Sequence, residues 1–560
     1  MANIHTTSLS PFQRVVKLLS FEKQDILLLF YLTAAYGVLG IATPVAVQAM
    51  VNIVTMGGVL QPLYVVGFIL FCLLALSGAI YAIESFLVEM IQRRLFVRYS
   101  LQIAQNTGQI HISVYDKFNP VELVNRYFDI QTVQKSMATL LTVGLTALLQ
   151  GIIGSIVLLF YSLYFGILVI LMLIVLWVII FGLGKQAEET SIKESKAKYE
   201  MAAWLETIAR NKWLSKFYGA TQRNTANTAQ LAEGYLQVRT KHFKVLMMQL
   251  IGAVGLYALI GTGMLILGGT LVIKGQINLG QFVAAELIIF GVLSAFVRFV
   301  TKLEYFYDLL AAVDKLGVLE TLPVERSGEH QSGQEGYTTL KVHQLTFQHA
   351  DQAALVSNLS FHLQRGESLA LIGGLGSGKT TLLELITGMR QPLQGHVSYN
   401  DIDVRQLDLA HLRDRIGVAN KVEWQHGSIL DNLRLQRPEV TLDQVIELLQ
   451  VLGLWQEISK LPNGVETVLT DFGAPMTHTQ LQRLMLARAM LGQPDVLIID
   501  GLLDQLAQHE LDQVLMLLKR HQQDWMVLIT TRYQHIAQQC KQVIHLQSQA
   551  ATDVAGGQHE

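Results

Sequence analysis

The chain has 560 residues, of which 51% are apolar and only 15% charged, and its mean hydropathy is +0.36. That length exceeds one hydrophobic core and suits two or three domains, while so little charge is poor cover for a soluble surface and directs attention to membrane spans. A formal net charge of −2 offers no basic excess, so nucleic acid is excluded as a partner class. The two cysteines, Cys72 and Cys540, lie in unlike surroundings and form neither a disulfide framework nor a zinc site; both read as small buried residues.

The N-terminal stretch MANIHTTSLSPFQRVVK lacks the apolar core of a cleaved signal peptide, so insertion is expected to begin with the first span. Six apolar runs follow, at about 25–50, 64–90, 137–160, 163–184, 246–273 and 281–300. Each is long enough to cross ~30 Å of hydrocarbon at 1.5 Å per residue. The short connections around 56–63, 161–165 and 274–280 carry a single charged residue, Lys274. The opposite side holds Arg14, Lys17, Arg93, Arg94, Arg98, Lys185, Lys193, Lys196, Lys198, Lys241 and Lys244. The positive-inside rule places that side, and with it both termini, in the cytoplasm. The long cytoplasmic connections, 91–136 and 185–245, read as helical stalks with tips near 114–126 and 206–222. Glu84 and Glu286 fall inside spans, where an ionisable group faces a cavity or a partner.

Near residue 320 the pattern changes to that of a soluble α/β domain. The membrane region is expected over 1–320, a polar glycine-containing linker over 321–337, the α/β domain over 338–548 and a flexible tail over 549–560. Within that domain the strand SLALI precedes GGLGSGKTTLLELITG: Gly373, four residues, then Gly378-Lys379-Thr380. A phosphate-binding loop needs this strand–loop–helix setting, because glycines let backbone N–H groups approach phosphates and the helix start adds its positive dipole end. Gly373, Gly374, Leu375, Gly376, Ser377, Gly378, Lys379, Thr380 and Thr381 are thus candidates to bind ATP. Lys379 would reach the β- and γ-phosphates, and Thr380 would hold Mg²⁺. A second strand, DVLIID, ends in Asp500, a Walker B carboxylate and second candidate for Mg²⁺.

With six spans, long stalks and these two motifs, the chain resembles the ABC exporter family of half-transporters over essentially its whole length. The fold so implied is an α-helical membrane domain of six transmembrane helices fused to an α/β P-loop NTPase domain. The stretches LVIKGQINLGQFVAAELI and YDLLAAVDKLGVLETLP are similar to the sixth-span region of bacteriocin and RTX-type exporters, without a preceding peptidase domain. The resemblance implies coupling helices at the two tips. It implies a homodimer, or a heterodimer with a second half-transporter, and it admits a periplasmic adaptor protein as a further partner.

Against the family pattern six motifs depart. The signature corresponds to Met476-Thr477-His478-Thr479-Gln480, with His478 and Thr479 in place of two glycines. Gly501 stands where a catalytic glutamate is expected, and Thr531 where the switch histidine is expected. The glutamine loop has Asn420 or Lys421 at the glutamine, the D-loop reads Asp504-Gln505-Leu506-Ala507, and the aromatic that stacks on adenine corresponds to His349. No catalytic residue is therefore assigned, and ATP hydrolysis is expected to be slow or absent, since losing a positioned base costs about 10²–10⁴-fold. Two functions remain open: an exporter subunit with peptide-like cargo, or an ATP-sensing scaffold that transports nothing and regulates a partner. Import is disfavoured, because importers keep the ATPase on a separate chain.

Overall fold

The computed structural model describes residues 9–55, 57, 60–116, 125–184, 186–331, 333, 336–348, 354–435, 437–470, 473–521 and 523–546. The chain divides into two compact units, one of Met1–Ile110 and Lys117–Pro323, the other of His111–Asp116 and Val324–Glu560.

Among the described residues of the first unit six helices are long and apolar enough to cross a membrane: Lys23–Thr55, Leu60–Gln109, Phe128–Tyr161, Leu163–Arg210, Ala220–Ile273 and Leu279–Val318. At 1.5 Å per residue, the 50 residues of Leu60–Gln109 span about 75 Å and the 54 of Ala220–Ile273 about 81 Å. Both are far longer than hydrocarbon requires, so the apolar runs 64–90 and 246–273 are parts of longer rods. The sixth helix is the most enclosed, and its Ile289, Val292 and Phe296 pack with Leu158, Phe165 and Met264. Gly151 lets the third helix come close: a Cβ there would sit 2.6 Å from Phe296 Cε1. Glu84 is buried, and its Oε1 meets no hydrogen-bond partner among the described residues; Glu286 is half-buried. Around the expected tip at 206–222 the chain makes turns over 211–219 between Ala187–Arg210 and Ala220–Ile273, with Gly219 in the left-handed region. Asn211 donates to the Thr207 carbonyl at 3.2 Å and accepts the Ser215 N–H at 2.9 Å, so the turn segment continues directly from the preceding helix. Most of the other tip, 117–124, lies outside the described residues, as do Lys185 and 549–560.

The second unit is built on two main sheets. One is antiparallel in the order β2-β1-β4-β5, from β1 (Thr339–Gln348), β2 (Ala354–Gln364), β4 (Gln394–Tyr399) and β5 (Ile402–Asp403). The other is parallel in the order β11-β3-β10-β9-β6, from β3 (Ser368–Ile372), β6 (Ile416–Ala419), β9 (Val496–Asp500), β10 (Met526–Thr531) and β11 (Gln542–His545). β3, β9 and β10 are almost uninterrupted apolar runs because helices or the second sheet cover both faces. Alternation sorts their side chains. Leu369, Leu371, Ile498 and Leu528 face one core with Leu382 and Tyr399, while Leu497, Ile499 and Ile529 face another with Leu484 and Met485.

Candidate functional site

Parallel pairing brings the carboxyl ends of β3, β10 and β9 to one edge: Ile372 pairs with Thr531, and Thr530 with Asp500. Ligands of open α/β sheets bind at such an edge. The loop Gly373–Gly378 leaves β3 there and runs into the helix Lys379–Ile386. Gly376 and Gly378 take φ of +74° and +85°, which side-chain-bearing residues rarely adopt, and this turns the loop's backbone N–H groups into a cradle. Space is open above Gly374 and Gly376, where an added Cβ would meet nothing within 4 Å.

Lys379 bridges the loop, its Nζ donating to the Gly373 and Gly374 carbonyls at 2.7 Å each and to Ser377 Oγ at 3.2 Å. Burial pulls its ammonium below the ordinary range, with the Asp500 carboxylate acting in the opposite direction. Thr380 Oγ1 donates to Asp500 Oδ2 at 3.0 Å, and the Thr530 hydroxyl donates to Asp500 Oδ1. A hydroxyl and a carboxylate converge beside a glycine cradle, an oxygen set that suits a hard divalent cation. Thus residues 373–381 and Asp500, far apart in sequence, share one edge.

The residues that follow β9 and end β10 lie at the same edge. Gly501 follows β9 with φ +68°, its N–H donating to the Thr530 carbonyl at 3.2 Å. The backbone there is left-handed, a conformation that favours glycine. Thr531 is 1% exposed, and its hydroxyl donates to Asp504 Oδ1, while Asp504 Oδ2 accepts the Arg532 N–H at 3.0 Å. Sequence reasoning counted Asp504 only as a departure; the structure makes it the carboxylate that ties β9's exit to the end of β10. His535 is exposed beside Tyr533, their ring centroids 5.6 Å apart.

Thr477 caps the helix His478–Leu491: its N–H donates to Gln480 Oε1 at 2.7 Å, and its Oγ1 accepts the Gln480 N–H at 3.4 Å. His478 is exposed at the head of this helix, and its Nε2 lies 3.3 Å from Gln482 Nε2. Gln482 in turn donates to Gln505. His349 lies outside the described residues.

Comparison with known proteins places residues 26–296 in the ABC transporter transmembrane region and residues 356–503 in the ABC transporter domain. The alpha-hemolysin translocation ATP-binding protein HlyB of Escherichia coli O157:H7 is 23% identical over 416 residues, 73% of this chain and 58% of that protein. The leukotoxin export ATP-binding protein LtxB of Aggregatibacter actinomycetemcomitans is 29% identical over 263 residues, 46% of this chain and 37% of that protein. The chain therefore spans little more than half the length of these relatives at most. A solved bacterial Atm1-family ABC exporter with ATP bound shares the fold at a TM-score of 0.83, covering 93% of this chain and 94% of that one at 16% identity.

Proposed function

We propose, on the premise that this chain belongs to the ABC transporters as a half-transporter, that it is the ATP-binding subunit of a dimeric exporter in which nucleotide binding is kept and hydrolysis is slow or absent. One contrast carries this reading. At a single sheet edge Lys379 and the Thr380–Asp500 pair are set for phosphate and Mg²⁺, whereas Gly501 offers no side chain and Thr531 is committed to Asp504. Bound Mg-ATP would supply the charge that closes the dimer. The loop amides and Lys379 would grip its phosphates, Lys379 exchanging the Gly373 and Gly374 carbonyls for phosphate oxygens. Thr380 and Asp500 would hold the metal. No side chain at 501 or 531 is placed to take a proton from water, so ATP would act as a ligand that favours one conformation more than as a fuel.

The family's dimer would set Thr477, His478, Thr479 and Gln480 against the other subunit's nucleotide, with His478 in place of a glycine amide. The basic connections support a bacterial inner-membrane protein with its nucleotide-binding domain and both termini on the cytoplasmic side. A polypeptide cargo is supported by the relatives' names, which speak of hemolysin translocation and leukotoxin export. Glu84 and Glu286 are the candidates for a cavity between the spans. The fixed Asp504–Thr531 pair favours, as a second reading, an ATP-sensing subunit that regulates an associated exporter.

The test is ATP binding and hydrolysis on the same purified protein in lipid, with Lys379→Ala as control. Lysine-dependent binding without turnover is expected. Lysine-dependent turnover of several per second would overturn the reading.

A further inference from the structure

The first unit carries a basic cavity that the nucleotide site does not explain. The helix Pro11–Phe21 begins at Ser10, whose Oγ accepts the Gln13 N–H at 3.3 Å, and it turns Val15 and Leu18 inward. Phe12, Val16 and Phe21 stay 57%, 49% and 56% exposed. A helix with one apolar side packed on protein and further apolar residues outward, just ahead of a span, suits the membrane interface.

Between this helix, the far part of Leu60–Gln109 and the helix Leu303–Thr321 lies a cavity of about 110 Å³. Its lining includes Arg14, Lys17, Leu18, Arg98, Tyr99 and Leu316, three cations in all and no carboxylate. Each arginine also has a protein partner: Arg98 Nη2 is 3.2 Å from Glu22 Oε1, and Arg14 Nη1 donates to the Asp314 carbonyl at 2.9 Å and lies 3.9 Å from Asp314 Oδ1. Arg98 Nη1 is buried and meets no acceptor among the described residues, a costly state that a nearby anion offsets. Residue 317 must be glycine for Arg14 to lie where it does, because a Cβ there would land on the Arg14 guanidinium.

The volume equals that of a few waters at ~30 Å³ each, room for one tetrahedral anion but not for a cargo molecule. Arg98 lies eight residues past the expected span end at 90, about 12 Å along the helix. Side chains tilt toward a helix's N-terminus, which on Leu60–Gln109 is the direction of the bilayer.

We propose that this cavity binds the phosphate group of an anionic phospholipid of the cytoplasmic leaflet, and so fixes the Pro11–Phe21 helix against the second and sixth membrane helices. The exposed Phe12 and Val16 favour a lipid over free phosphate, since they supply an apolar seat beside the charge. The proposal needs the cytoplasmic placement of these helix ends and is independent of ATP binding.

The experiment titrates the detergent-purified full chain with short-chain phosphatidylglycerol, phosphatidylcholine or inorganic phosphate, reading melting temperature and bound lipid by native mass spectrometry. Phosphatidylglycerol is expected to raise the melting temperature and stay bound where phosphatidylcholine does not. Lys17→Gln should weaken phosphatidylglycerol binding about fivefold, the effect of one surface cation near anionic lipid. Gly317→Ala, which displaces Arg14 and leaves every charge in place, should weaken it as well. Equal binding of the two lipids, or an unchanged preference in both variants, would overturn the site. Stabilisation by inorganic phosphate that matches phosphatidylglycerol would overturn the lipid assignment.

Discussion

Two groups of residues share the carboxyl edge of the parallel sheet and are built in opposite ways. The group after β3, Gly373 to Thr381 with Asp500, keeps an open glycine cradle, a bridging lysine and a hydroxyl–carboxylate pair. The group after β9 and β10 is closed on itself: Gly501 is backbone only, and Thr531 and the Arg532 N–H are both held by Asp504. On the function proposed above, holding a phosphate chain and positioning water would be separable tasks on one scaffold, carried by different residues.

The most direct way to break this comparison is Lys379→Ala. An ammonium on phosphate oxygens is a charge-assisted contact, so removing it should weaken ATP binding about 100-fold, or ~2.7 kcal/mol. Unchanged affinity in a titration with fluorescent nucleotide would mean that residues 373–381 are not the nucleotide loop. Next in size is Asp504→Ala. The carboxylate is 3% exposed and accepts from two donors, one of them the buried Thr531 hydroxyl, so its loss should cost about 2 kcal/mol. The readout is the urea midpoint of the nucleotide domain followed by tryptophan fluorescence. An unmoved midpoint would show that the β9–β10 tie carries no stability.

These residues were unequally legible. The phosphate loop was readable because its chemistry is local: strand, glycines, lysine and helix start lie within a dozen residues. The sheet edge followed from apolar runs such as VLIID, and the spans from their length. The Asp504–Thr531 pair joins residues 27 apart through tertiary packing, and nothing in either segment announces the other. Gly501 was read as a missing side chain, while its left-handed backbone belongs to the fold around it. At the signature position Thr477-x-x-Gln480 is a capping-box pattern, local enough to be visible in the sequence.

Gly501→Glu sharpens the comparison, because it restores the expected side chain at a position whose backbone disfavours it. A non-glycine residue held at φ +68° costs roughly 1 kcal/mol. The variant should melt slightly lower and gain less than about tenfold in turnover, as Thr531 and the signature positions remain unsuited to hydrolysis. Fast hydrolysis in this single variant would mean that the β10 side of the edge is already competent.

The smallest effect is expected from His478→Gly. The imidazole is exposed and the Thr477–Gln480 cap does not depend on it, so the change should cost no more than about 0.5–1 kcal/mol, the helix penalty of glycine. Thermal melting of the variant without nucleotide should be nearly unchanged. Any larger consequence must arise in the dimer, where residue 478 would meet the other subunit's nucleotide. The decisive quantity is thus ATP-dependent dimerisation, measured by light scattering with Mg-ATP. Stronger dimerisation in His478→Gly would mean that the imidazole obstructs closure. Weaker dimerisation would mean that it contributes a contact to the bound phosphates, and that the altered signature retains a role in binding.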